Sequence, residues 1–222
     1  MINMSRRAVM QMIVLALLLV GVSSCISEKR AEPMTIPVKI VLPETNKPLS
    51  GKRHEKNLVI GELIDEYRGI PVYYNGSPYE SQGRHVSPGG YNYGMKWQCV
   101  EFVKRYYYNR LKHEMPDTYG HAKHFYNRDL RDGDFNPQRN LYQFINGGVF
   151  KPQADDIVVY DGDDYGHVAI ITEVGKDYLM LIQQNVGTAT RHKIPFTKHE
   201  NHYYIMNKNV IGFLGRRAFD NE

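Results

Sequence analysis

Gly94-Met95-Lys96-Trp97-Gln98-Cys99-Val100-Glu101-Phe102-Val103-Lys104-Arg105-Tyr106 sets a cysteine where a helix begins. From Val100 the large apolar residues recur at Val103, Tyr107 and Leu111, with Phe102 and Tyr106 beside them. That is helical spacing. Gly94 and the loop-forming run Ser87-Pro88-Gly89-Gly90 lie upstream, so the pattern predicts a helix starting near Trp97. A thiol in the first turn faces the positive end of the helix dipole and unpaired backbone N–H groups, both of which favour thiolate. The commoner fate of a cysteine is to serve as a small core residue. The helix-start position argues for reactivity instead, and so does the lack of a pairing partner.

That lack follows from the N-terminus. The chain has two cysteines, Cys25 and Cys99. Arg6 and Arg7 precede an apolar run from Ala8 to Val22 that only Gln11 interrupts, with small residues before Cys25. This is a secretory signal pattern, too short for a confident membrane-spanning helix. Val22-Ser23-Ser24-Cys25 resembles the lipobox of bacterial lipoproteins, which implies a signal peptide at 1–24 and lipidation of Cys25. Cys99 is then the one free thiol of an exported protein, where unpaired thiols are unusual. The localisation that follows is the bacterial cell envelope, lipid-anchored on the periplasmic or outer-membrane side.

Loss of Arg6 and Arg7 lowers the formal charge from +4 to +2. With no basic stripe and no recognised motif, nucleic acid is not a predicted partner. Residues 25–57 read as a tether: Pro33, Pro37, Pro43 and Pro48 punctuate a charged, aromatic-poor segment. Val38, Ile40 and Val41 within it are candidates for a short edge strand. The folded domain is assigned to 58–222.

Ile70 to Tyr74 reads as a strand closed by the turn Asn75-Gly76. A loop from Ser77 to Met95 then delivers the chain to the cysteine helix, and a second short helix is predicted over 118–126. Arg128 to Asn140 reads as irregular. After Pro152 the pattern turns to strands at Ile157–Tyr160, His167–Val174, Tyr178–Gln184, His202–Met206 and Val210–Leu214. A helix followed by antiparallel strands is an α+β arrangement.

His167 opens an apolar strand directly after Gly166. A surface histidine on a strand end is the plainer reading. The next hairpin, however, returns Gln183-Gln184-Asn185 beside it by antiparallel pairing. Alternation puts Gln183 and Asn185 on one face and Gln184 on the other. An imidazole acting as a base needs a neighbour that fixes its tautomer, and an amide oxygen does so.

Trp97-Gln98-Cys99-Val100-Glu101-Phe102, Gly166-His167-Val168-Ala169 and Gln184-Asn185-Val186 together resemble the CHAP family, the cysteine, histidine-dependent amidohydrolases/peptidases. Within it they are similar to the amidase domain of glutathionylspermidine synthetase/amidase. The likeness includes Gly69-Ile70-Pro71-Val72-Tyr73, Asn146-Gly147-Gly148 and Ile211-Gly212-Phe213-Leu214. It implies a papain-like α+β fold, with the cysteine-bearing helix packed on an antiparallel sheet. Cys99 would attack an amide carbonyl, His167 would shuttle the proton, and the Gln98 side chain with the Cys99 N–H would hold the oxyanion. Gln183 would orient the imidazole, with Asn185 as the competing partner or a groove residue. The amidase pattern has Glu-Gln-Asn where this chain has Gln183-Gln184-Asn185, so a carboxamide replaces a carboxylate. Asp155-Asp156 likewise replaces a glycine-acid step.

Trp97 is a candidate wall of the substrate groove. Asp132-Gly133-Asp134-Phe135-Asn136 mimics the start of a calcium loop, but Pro137 stands where glycine is needed. His121 and His124 lack the ligands to complete a zinc set, and Asp161, Asp163 and Asp164 read as a solvated turn. The chemistry requires no metal or organic cofactor. The reading is a monomeric cysteine amidase or endopeptidase acting on peptidoglycan peptides. A glutathionylspermidine-type amidase is the enzymatic alternative, and an inactive CHAP-like cell-wall binding module the alternative of another class.

Overall fold

The helix that carries the cysteine is α1, Cys99–Leu111, in a computed structural model that describes residues 58–117 and 119–216. It begins two residues beyond Trp97 because Gln98 is still extended, at φ −76° and ψ 161°. Lys112 ends it in a left-handed conformation at φ 54°. Phe102, Val103, Tyr106 and Tyr107 are at most 1% exposed. Each such side chain contributes roughly 2 kcal/mol on burial.

Two hairpins cover α1 on one side. The first joins β1 (Leu63–Tyr67) to β2 (Ile70–Tyr73), and the second joins β3 (Arg84–Val86) to β4 (Asn92–Met95). The stretch anticipated as a plain loop thus holds a hairpin. The run Ser87-Pro88-Gly89-Gly90 is its turn, closed by Ser87 N–H to the Tyr91 carbonyl at 2.9 Å.

The other side of α1 rests on an eight-stranded antiparallel sheet in the order β11-β10-β9-β8-β7-β12-β6-β5. Its strands are β5 (Phe135–Asn136), β6 (Leu141–Ile145), β7 (Ile157–Tyr160), β8 (His167–Val174), β9 (Tyr178–Ile182), β10 (Arg191–His199), β11 (His202–Ile205) and β12 (Val210–Gly215). The last strand in sequence lies near the middle, with Phe213 paired to Phe144 on one side and Val158 on the other.

Period-two alternation makes two cores from these strands. Ile157, Val159, Val168, Ile170, Ile182 and Leu214 pack with the helix residues. Val158, Ala169, Ile171, Leu179, Leu181 and Phe213 pack on the far face with Phe144, Ile194 and Phe196. Strands buried on both faces read as unbroken apolar runs, which is why β7 and β8 were legible residue for residue. The class is α+β.

The second helix anticipated over 118–126 is not formed among the described residues. One 3-10 turn, Ala122–Phe125, stands there. Gly120 at φ +93° turns the chain just before it, and residue 118 lies outside the described residues. The signal segment, Cys25, the tether and the strand anticipated at Val38 to Val41 also lie outside them.

Candidate active site

Gly166 is the residue that lets β8 start where it does. Its φ is +68°, and a Cβ there would collide with the Tyr160 carbonyl and lie 2.7 Å from the Lys123 side chain. Only glycine meets both demands. The next residue, His167, has its Nε2 at 2.9 Å from Gln183 Oε1. Gln183 donates its own amide N–H to the Ala189 carbonyl at 3.0 Å. That bond fixes the carboxamide with its oxygen toward the imidazole. A carbonyl oxygen only accepts, so Nε2 carries the ring proton and Nδ1 keeps its lone pair.

Cys99 and His167 line one groove of about 650 Å³. The Cys99 sulfur faces the N–H of Val168, next to the histidine, and the N–H of Val100 in the first helical turn. These donors favour thiolate, as the helix-start position led one to expect. They lose to desolvation: burial pushes the Cys99 thiol up to about 11. Burial also lowers the His167 imidazole, against the raising effect of its bond to Gln183. Both shifts favour neutral thiol and neutral imidazole, in line with the weaker support for an ion pair expected from a carboxamide at Gln183. Asp163 lines the same groove, and its charge disfavours thiolate while favouring imidazolium.

Gln98 occupies the helix N-cap, yet its side chain makes no capping bond. It reaches across the groove instead. Its Oε1 accepts from Asn185 Nδ2 at 2.6 Å, and its Nε2 donates to the carbonyls of Glu80 at 2.5 Å and Pro78 at 3.3 Å. Asn185 is thus a partner of Gln98, not of His167. The pairing with β8 ends at Ile182, and Asn185 turns left-handed at φ +70°, so it leaves the face that alternation assigned it. Gln184 points to the helix side, where its Nε2 donates to Glu101 at 2.7 Å and to the Gln98 carbonyl at 3.1 Å.

Glu101, to which the sequence reading gave no role, does not line the groove but receives Gln184, which also bonds the Gln98 carbonyl. The Glu101 side chain is fully buried and accepts from Arg105 at 2.5 Å while pairing with His85 at 2.7 Å. Burial alone would raise its carboxyl, but His85, Arg105 and Gln184 hold it below the usual range. Nothing in the sequence pointed to this, because the polar face of the predicted helix reads as solvated, and a buried acid needs a partner only once its burial is known.

Trp97 does not line the groove, contrary to the expectation for it. Its ring packs 4.1 Å from Tyr73 and 5.5 Å from His85. Tyr79, Tyr119 and Tyr165 stand at the groove instead, with Met95 and Arg84. Tyr79 and Tyr119 are each 81% exposed. Asp132, in the calcium-like stretch, accepts the N–H groups of Ile145 and Val149, which makes it a turn cap. Among the described residues no group of three or more His, Cys, Asp or Glu is gathered to hold a metal. Nor is any described helix long and apolar enough to cross a membrane.

Residues 90–185 match the CHAP domain. The chain is 31% identical over 119 residues to trypanothione synthetase from Crithidia fasciculata, a match covering 52% of this chain and 18% of that protein. It is 34% identical over 97 residues to the bifunctional glutathionylspermidine synthetase/amidase of Escherichia coli (strain K12), covering 42% of this chain and 16% of that protein. Glutathionylspermidine synthase from Crithidia fasciculata is 35% identical over 103 residues, again 42% of this chain and 14% of the relative. Each match therefore spans less than a fifth of the relative's length.

Proposed function

We propose, from the CHAP domain matched at residues 90–185, that the protein is a cysteine amidase on a papain-like scaffold. The observation that carries this reading is the imidazole of His167, anchored through Nε2 on Gln183 in the groove that holds the Cys99 thiol. Nδ1 of His167 takes the Cys99 proton as sulfur attacks the amide carbonyl carbon. Carbonyl oxygen becomes an oxyanion, stabilised by the Cys99 N–H and the Gln98 carboxamide. The C–N bond then breaks, and the imidazolium returns its proton to the leaving amine. Water, deprotonated by His167, hydrolyses the thioester and releases the acid and the free thiol.

The substrate we favour is a peptide amide of bacterial peptidoglycan, because the N-terminal signal pattern and lipobox-like Cys25 direct the chain to the envelope. A second reading, a glutathionylspermidine-type amide, is favoured by the name of the Escherichia coli relative. Against a mere binding module stands the presence of a thiol and an oriented imidazole in one groove. The test is incubation of the wild type and Cys99→Ala with purified peptidoglycan and, separately, with glutathionylspermidine, and mass analysis of the products. Cleavage by the wild type alone supports the amidase. Equal cleavage by a folded Cys99→Ala protein would overturn it.

A further inference from the structure

The Gln98 carboxamide is held by more than its place at the head of α1. Asn185 donates to Gln98 Oε1 at 2.6 Å and to the Pro78 carbonyl at 3.0 Å, while its own Oδ1 accepts from Asn75 at 2.7 Å. Asn75 is 2% exposed and fixed in turn. Its Oδ1 accepts the Trp97 N–H at 3.0 Å, and its Nδ2 also reaches the carbonyls of Ser77 and Glu80 at 3.1 and 3.2 Å. Three amides from separate segments thus form one chain ending on the residue beside the nucleophile.

We propose that Asn75 and Asn185 are positioning residues for oxyanion stabilisation, deciding which end of the Gln98 carboxamide is offered to substrate. A carboxamide has one accepting and one donating end. Pinning Oε1 on Asn185 leaves Nε2 as the donating end. Both Nε2 hydrogens are engaged by loop carbonyls in this structure, but unequally. The bond to Glu80 is short, and the one to Pro78, at 3.3 Å, is long. The Pro78 carbonyl also receives Asn185. A substrate oxyanion can therefore take that N–H without leaving a buried acceptor unpaired, which removes the main cost of the exchange. The left-handed backbone of Asn185 is part of the device, because it swings the side chain off the strand face and onto Gln98. Asparagine adopts that conformation more readily than most residues.

This role presupposes the amidase chemistry proposed above, and two substitutions test it. Asn185→Gly keeps the left-handed turn and removes the carboxamide. Asn185→Asp keeps shape and turn but sets a carboxylate against Gln98 Oε1. The substrate is whichever of glutathionylspermidine and purified peptidoglycan the wild type cleaves. Both variants should lower kcat/KM about 10- to 100-fold, approaching the hundredfold or greater loss on deleting an oxyanion donor. Alkylation of Cys99 by iodoacetamide displaces iodide at a saturated carbon and forms no oxyanion, so its rate should stay within about twofold of wild type. In a Gln98→Ala background, Asn185→Gly should add nothing beyond about twofold, since the two residues act as one unit. Wild-type hydrolysis that survives both Asn185 variants overturns the role and leaves the amidase standing. So does a parallel loss of hydrolysis and alkylation, or full additivity with Gln98→Ala. No hydrolysis by the wild type overturns the amidase reading, and the role with it.

Discussion

Burial sets the protonation of Cys99 and His167 in the same sense, raising the thiol to about 11 and lowering the imidazole. Proton transfer then accompanies attack, and the acidic limb of kcat/KM follows the imidazole. That limb should lie below the ordinary histidine value of about 6.5, so activity should persist at pH 6. In His167→Ala the thiol must ionise unaided, and the iodoacetamide rate should climb toward a plateau near 11, where the buried thiol titrates. Gln183→Glu places a carboxylate on Nε2, which raises the imidazole pKa and enlarges the ion-pair share of the couple. Alkylation at pH 7 should rise severalfold, whereas Gln183→Ala should cost about tenfold in kcat. A Gln183→Glu protein alkylated no faster than wild type would remove Gln183 from this role. Cys99, His167 and Gln183 were legible because a helix start, a glycine before a strand and a hairpin return are local patterns. The role of Asn75 was not legible, and Asp163, legible only as an acid close before His167, was read as part of a solvated turn. Their contributions depend on loops whose path no periodicity encodes.

The behaviour of α1 as an element comes from burial on nearly every side from Cys99 to Tyr107. Sheet and hairpins clasp it, so Glu101, Lys104 and Arg105 are buried with the apolar residues. A one-faced helical pattern could not reveal this, since the polar face looked solvated. Glu101→Gln leaves the Arg105 charge, 4% exposed, without its counter-ion. It should cost about 3 kcal/mol or more in denaturant unfolding. Because the Glu101 pKa is depressed in the fold, its contribution is present above the unfolded value near 4.5 and fades as pH falls below that. Asp155 holds φ +75° at a turn suited to glycine, tethered by Tyr106 at 2.7 Å and Arg68 at 2.6 Å. Asp155→Ala keeps the strain and loses the tether, so it should be about 1 kcal/mol less stable than Asp155→Gly. The strand β10 was missed because Pro195 interrupts a polar run in which Ile194 and Phe196 are the buried residues. Pro195 is tolerated because β10 pairs with β9 up to that residue and with β11 beyond it.

For the molecule as a whole, the proposed anchor makes a separable prediction. Cys25→Ala should shift the protein from the membrane to the soluble fraction with hydrolysis intact, and retention of the cleaved variant on membranes would discard the lipid. The sheet carries a further lesson in its strand order. A chain is made from its N-terminus, and Cys99 exists long before β12, the strand that fills the gap between β6 and β7. Until Val210 to Gly215 arrive, both neighbours keep open edges, and Phe213 is missing from the core beneath His167's strand. Pairings between distant segments form late and together. A chain that ends before β12 therefore holds Cys99 but only part of the sheet on which α1 rests. Cys99 and His167 thus come together on a sheet that the chain completes only with its last described strand.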